Sequence, residues 1–189
     1  MRSLIDVTDL SAEELKALCD KALDIDADPA KYAHACDGKQ LASLFFEPST
    51  RTRMSFESAM LALGGTVLSM SDGANSSVSK GESVADTAKI ISCYADIIAM
   101  RHPKDGAALV AAKNAWIPVI NAGDGQHCHP TQTLADLLTI YREHGSFENF
   151  TVTVENVDAM MGTVRVQIPI LGRIQSVELP IEDVEKIED

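Results

Sequence analysis

Phe45-Phe46-Glu47-Pro48-Ser49-Thr50-Arg51-Thr52-Arg53-Met54-Ser55-Phe56-Glu57 is the stretch that decides how the rest of the chain is read. The apolar run Leu41 to Phe46 predicts a buried strand. Glu47-Pro48 ends it, because the residue before a proline is driven out of the α region. Ser49 and Thr50 are N-cap candidates, and Met54, Phe56, Met60, Leu61 and Leu63 predict an amphipathic helix that stops at Gly64-Gly65. Strand, tight turn, hydroxyl-bearing cap and helix aim free backbone N–H groups and the positive end of a helix dipole at an anion. Arg51 and Arg53 in the same turn add charge that can bind phosphate oxygens in bidentate fashion. Taken alone, these residues also fit an ordinary capped helix with solvated arginines.

Upstream, Ser11 with Glu14 three residues later forms a capping box. Leu15, Leu18, Ala22 and Leu23 continue a helical stripe and predict a core-facing helix with no chemistry. Asp24 to Gln40 is polar, is broken by Pro29 and Gly38, and reads as a connection. Downstream, Thr66–Met70 predicts a second strand, and Ser71 to Lys80 a surface loop of a length that is often functional. Lys80 by itself reads as a solvated charge. A helix follows, with Val84, Thr87, Ala88, Ile90 and Ile91 at helical spacing.

Asp96–Met100 reads as a strand that delivers Arg101-His102-Pro103 at its end. Gly106 to Asn114 predicts a short helix, and Trp116 to Asn121 another buried strand with Ala122–Gly125 as its following loop. His127, His129, Pro130, Thr131, Gln132 and Thr133 then lead into a helix with Leu134, Leu137, Leu138 and Ile140 on its apolar side. Strand and helix thus alternate four times, which predicts an α/β fold with a parallel sheet flanked by crossover helices. Ser49–Arg53, Arg101–His102 and His127–Gln132 each follow a strand, so they should converge on one edge of the sheet, where ligands of such folds gather. That convergence favours the anion site.

Composition narrows the classes further. Hydrophobic residues at 46% predict a globular chain, and no apolar run is long enough to span a bilayer. A net charge of −12 argues against non-specific nucleic-acid binding, although a small anion answers to the local field rather than the net charge. Cys19, Cys36, Cys93 and Cys128 are scattered and predict a reducing cytoplasm rather than a disulfide framework. His127, Cys128 and His129 lie too close together for the usual structural zinc spacing, and no second Cys/His cluster exists, so no metal is expected.

Together these motifs resemble the aspartate and ornithine carbamoyltransferase family. Ser49-Thr50-Arg51-Thr52-Arg53 followed by Ser55-Phe56-Glu57 looks like its carbamoyl-phosphate signature, and His129-Pro130-Thr131-Gln132-Thr133-Leu134 like its second signature. Ser79-Lys80-Gly81-Glu82, Met100–Pro103 and Asn121-Ala122-Gly123-Asp124-Gly125 are similar to the aspartate branch. The resemblance runs from about Leu4 to Phe150. It implies transfer of the carbamoyl group of carbamoyl phosphate to L-aspartate, for pyrimidine synthesis, with no metal or organic cofactor. It also implies that Ser49, Thr50, Arg51 and Thr52 hold the phosphate. Arg101, His129 and Thr52 would contact the carbonyl oxygen, and Gln132 the carbamoyl amide. Ser77 and Lys80 would reach a neighbouring subunit's site, making a homotrimer the working unit; a regulatory chain is left open.

Past Phe150 the resemblance ends. The family's second, amino-acid-binding domain should follow, and Arg165 and Arg173 stand in the wrong context to take over its arginines. Val164–Ile168 and Ile174–Leu179 instead predict a β-hairpin around Leu171-Gly172-Arg173, closed by Pro180, with an acidic helical or frayed end at Ile181–Asp189. A short hairpin is marginal alone and needs a surface to pack on. The expected organisation is a carbamoyl-phosphate domain over 1–148 and a β-rich acidic tail over 149–189. Two functional classes stay open: a carbamoyltransferase catalytic chain, and a carbamoyl-phosphate-binding or assembly module without turnover.

Overall fold

A computed structural model describes residues 2–70, 81–125, 129–145, 153–159, 162–170, 173–181 and 184. Contacts divide the chain into two units, Met1–Ala135 and Asp136–Asp189. The first unit is the predicted α/β layer. Its strands β1 (Gln40–Phe45), β2 (Thr66–Met70), β3 (Ile97–His102) and β4 (Val119–Asp124) lie in the order β2-β1-β3-β4, all parallel. Helices α1 (Ala12–Ala27), α2 (Thr50–Ala62), α3 (Val84–Ile91) and α4 (Ala107–Asn114) stand between or before them, and α5 is Pro130–His144.

β1 and β3 are the inner strands, which is why most of their residues are apolar, with the polar Arg101 and His102 held to the carboxyl end of β3. Leu41, Ala42, Leu44, Phe45, Ile98, Ala99 and Met100 are all buried. β1 is followed in sequence by β2 on one side, and the chain then crosses to β3 on the other. That reversal opens a crevice at the carboxyl ends of β1 and β3, the place where ligands of such sheets bind.

α2 ends as its sequence predicts. Gly64 adopts a positive φ of 86°, and the N–H groups of Gly64 and Gly65 bond the carbonyls of Leu61 (3.1 Å) and Met60 (3.0 Å), a Schellman closure. The Ser11–Glu14 capping box is present in both directions. The outer edge of β4 is covered by the N-terminal segment: Leu4 N–H donates to Val119 O and Asn121 N–H to Leu4 O, each at 2.9 Å.

Two expectations change. α1 was expected to face a core, yet only Cys19 is buried in it and Leu18 is 44% exposed. Its side-chain ties run to the Pro29–Tyr32 turn, with Lys31 Nζ 2.8 Å from Asp24 Oδ2 and Tyr32 donating its hydroxyl to the same carboxylate. The strand expected at Trp116–Asn121 is β4, displaced toward Asp124, and Trp116 is 72% exposed. Pairing decides this: β3 meets β4 from Ile98 opposite Val119 onward, and polar Asn121 and Asp124 are drawn inside by bonding one another.

The second unit holds the expected hairpin, β6 (Thr163–Ile170) and β7 (Arg173–Pro180), antiparallel with Ile170 opposite Arg173. It also holds a strand that the sequence reading lacked, β5 (Thr153–Asp158), which pairs with β6. A bulge between Val154 and Asn156 puts Val154 opposite Val166 and Val157 opposite Val164. The expected frayed end at Ile181–Asp189 falls almost wholly outside the described residues.

Candidate functional site

The carboxyl end of β1 carries the chain through Phe46 and Glu47 to Ser49, the N-cap of α2. The Ser49 side chain makes no capping bond to that helix. A first turn without that bond leaves backbone donors directed outward, at the positive end of the helix dipole. Thr50 and Arg51 are exposed there, and Ser49 and Thr52 half-buried.

The two arginines of the turn part company. Arg51 is exposed, whereas Arg53 turns back along α2, its Nε 3.7 Å from Glu57 Oε1. The same Glu57 oxygen accepts hydrogen bonds from Ser43 Oγ on β1 (2.9 Å) and Ser69 Oγ on β2 (2.6 Å). Glu57 therefore fastens α2 across two strands, and Arg53 Nε is buried without a hydrogen-bond partner.

Arg101 stands at the carboxyl end of β3, opposite Phe45 of β1. Its Nε donates to Glu47 Oε1 at 2.5 Å, and its Nη1 lies 3.1 Å from His129 Nε2 and 3.4 Å from Ala122 O. Three chain segments thus meet at one guanidinium. Gly123 closes the group from behind: its φ is 117°, and a Cβ there would sit 3.0 Å from Arg101 Nη1 and 3.3 Å from His129 Cδ2. Only glycine fits both constraints.

On its other side, His129 Nδ1 is 3.3 Å from Gln132 N and 3.5 Å from Thr131 Oγ1. Burial, and then the Arg101 charge, hold the His129 imidazole below its ordinary pKa. His102, at the end of β3, is lowered first by burial and then by Lys104; its ring lies against Phe46 with centroids 5.1 Å apart. Near neutral pH both rings are therefore uncharged, and His129 can serve as a neutral hydrogen-bond partner.

The predicted residues fall into three sets. Arg101 and His129 are brought into contact, and Gln132 touches His129 through its backbone. Ser49, Thr50, Arg51 and Thr52 form the α2 turn at the end of the neighbouring strand. Ser77 and Lys80 lie outside the described residues. Sequence reading missed Glu47 as the partner of Arg101; an acidic residue ending a strand beside the signature was its available signal. It also gave Gly123 no part in the site. Among the described residues no group of three or more His, Cys, Asp or Glu could hold a metal ion, and no helix is long and apolar enough to cross a membrane. His127 and Cys128 lie outside those residues.

Residues 2–142 match the family model for the aspartate/ornithine carbamoyltransferase, carbamoyl-P binding domain. The chain belongs to that family. The aspartate carbamoyltransferase catalytic subunit of Clostridium novyi is 61% identical over 151 residues, covering 80% of this chain and 49% of that protein. That of Clostridium acetobutylicum is 59% identical with the same coverage. Among solved structures, the catalytic subunit of M. jannaschii aspartate transcarbamoylase superposes with a TM-score of 0.71 at 50% identity, covering 77% of this chain and 48% of that one. Aspartate transcarbamoylase from Trypanosoma cruzi, in complex with carbamoyl aspartate and phosphate, gives 0.72 at 38% identity, covering 79% and 47%. This carbamoyltransferase-family chain spans about half the length of the curated relatives it matches.

Proposed function

We propose that this chain is of the aspartate carbamoyltransferase catalytic type: it binds carbamoyl phosphate and serves carbamoyl transfer to L-aspartate in pyrimidine biosynthesis. The observation that carries the reading is the first turn of α2, left without a Ser49 cap, beside the Arg101–His129 contact at the end of the adjoining strand. Ser49, Thr50, Arg51 and Thr52 take the phosphate with backbone N–H groups, hydroxyls and one guanidinium. Arg101, His129 and Thr52 take the carbonyl oxygen, and Gln132 the carbamoyl amide.

The chemistry suits these groups. The aspartate amino nitrogen attacks the carbonyl carbon, placing negative charge on its oxygen. The bond from that carbon to the phosphate oxygen then breaks, and the amine gives up a proton as phosphate leaves. Donors already aimed at the developing oxyanion stabilise it without reorganising. His129 Nε2 accepts from Arg101 Nη1, which can only donate. Once the carbonyl oxygen stands between them it takes the Arg101 donor, and with Gln132 N–H facing Nδ1 the ring proton moves to Nε2 and donates to that oxygen as well. Arg51 and Lys80 receive the leaving phosphate's charge. Orientation and electrostatics account for the acceleration, with no covalent intermediate.

Within this reading 1–148 is the carbamoyl-phosphate domain and 149–189 an appended tail. Ser77 and Lys80 complete the site of a neighbouring copy, which makes the working unit a cytoplasmic homotrimer. A second reading is a carbamoyl-phosphate-binding module without turnover; the first unit by itself holds the α2 turn and the Arg101–His129 contact. Calorimetric titration with carbamoyl phosphate, followed by assay of carbamoyl-aspartate after adding L-aspartate, separates the two. Binding with turnover supports the enzyme, and binding without it the module. Retention of parental affinity in Arg51→Ala would show that the phosphate site is misassigned.

A further inference from the structure

Asn121 is fully buried midway along β4, and every polar atom of its side chain is used. Its Oδ1 accepts from Gly123 N–H at 2.9 Å. Its Nδ2 donates to Ile5 O and to Asp124 Oδ1, each at 3.1 Å. Asp124, also buried, extends the tie through Oδ2 to Gly106 N–H at 2.9 Å. The two residues enclosed by this clamp, Ala122 and Gly123, adjoin Arg101: the first with its carbonyl at 3.4 Å from Nη1, the second so closely that an added Cβ would lie 3.0 Å from the same nitrogen. A buried amide with all its bonds made fixes a turn firmly, because any rotation strands a desolvated polar group.

We infer that Asn121 is a positioning residue of the carbamoyl-phosphate site: its amide holds the Gly123 turn as a rigid wall, and that wall sets the approach of Arg101 to His129. Asn121 acts on the site through the Gly123 backbone and the Asp124 carboxylate. This rests on the proposed function for its purpose, though its geometry is independent of any ligand.

The test is 15N-histidine NMR of the full chain, following the ring nitrogens of His129 through a pH titration, with calorimetric binding of carbamoyl phosphate in parallel. Asn121→Ala removes the Gly123 bond. The His129 titration should move up toward the ordinary histidine range as Arg101 and the wall recede, and carbamoyl-phosphate affinity should fall about tenfold. If Asn121→Ala does not fold, Asn121→Ser is read the same way, because it too removes the amide that holds Gly123 N–H while leaving a polar group at the buried position. An unmoved His129 titration in a folded variant overturns the inference. Failure of the parent chain to bind carbamoyl phosphate would instead count against the proposed function, and the His129 readout would still decide the role of Asn121.

Discussion

Glu47 holds Arg101: the carboxylate at the end of one inner strand accepts the Nε–H of the guanidinium at the end of the next, at 2.5 Å. Both side chains are only about a quarter exposed. The guanidinium is thus already paired before any anion arrives, and its Nη1 face is the part turned toward His129. A negative charge so close to the proposed phosphate site would work against a dianionic ligand there.

Glu47→Gln separates charge from orientation. Glutamine's carbonyl oxygen can still accept the Nε–H, so Arg101 stays in place while one negative charge leaves the site. Affinity for inorganic phosphate or carbamoyl phosphate should rise by about tenfold, ~1.4 kcal/mol. Calorimetry decides it, and weaker binding would mean that the ionised carboxylate is needed to aim Arg101.

Stability should fall with acidification through the histidine range. His102 and His129 both have folded pKa values lowered from 6.5, chiefly by burial. The unfolded chain therefore takes up protons below that value while the folded chain does not. The stability these neutral rings contribute is complete above 6.5 and is lost as pH falls through their lower folded values. Asp24 and Asp96, lowered first by hydrogen bonds from Lys31 and Lys39, act only nearer the carboxylate range. Urea midpoints at pH 7.5 and 5.5 should differ in the parent and much less in His102→Gln/His129→Gln. An equal difference in the double variant would place the proton uptake elsewhere.

The Glu57 anchor should be structural rather than ligand-bearing. Glu57→Ala leaves the fully buried Ser43 hydroxyl without its acceptor, at a cost of about 1–3 kcal/mol. Once Glu57 is gone, Ser43→Ala should cost almost nothing further, because the two act as a unit. Urea denaturation of the double-mutant cycle measures the coupling; simple additivity would mean that the 2.9 Å bond carries no stability.

Much of the first unit was legible because its decisive signals are local. Pro48 fixes where β1 must stop, Gly64-Gly65 where α2 must stop, and the apolar inner strands announce a sheet covered on both faces. β4 was misplaced because its limits are set by partners distant in sequence: Ile98, Leu4 and the Asn121–Asp124 bond. An apolar Trp116-Ile117-Pro118 ahead of it looks more like a strand than the residues that form one. β5 escaped notice because its valines are three apart, and only a bulge reconciles that spacing with a strand. Arg101 and His129 were read from motifs with a role attached, but Glu47 and Asn121 lie in motif stretches without one, and their parts emerge only from contact geometry.

Gly64 and Gly38 offer a matched pair for separating backbone strain from close approach. Both have positive φ, 86° and 71°. An added Cβ at Gly38 meets nothing within 4 Å, whereas at Gly64 it would lie 2.6 Å from the Ala33 carbonyl and collide with Asp37. Gly38→Ala should therefore cost only the left-handed penalty, about 1 kcal/mol. Gly64→Ala should cost that plus displacement of the Ala33–Asp37 turn, about 3 kcal/mol in all. The turn is bonded to the end of α2 through Cys36 N–H to Leu63 O at 2.8 Å, so it cannot yield without loosening the helix that bears Arg51. Thermal and urea unfolding of the two variants measure the difference. Equal losses would mean that the turn moves aside freely and that positive φ alone selects glycine at this helix end.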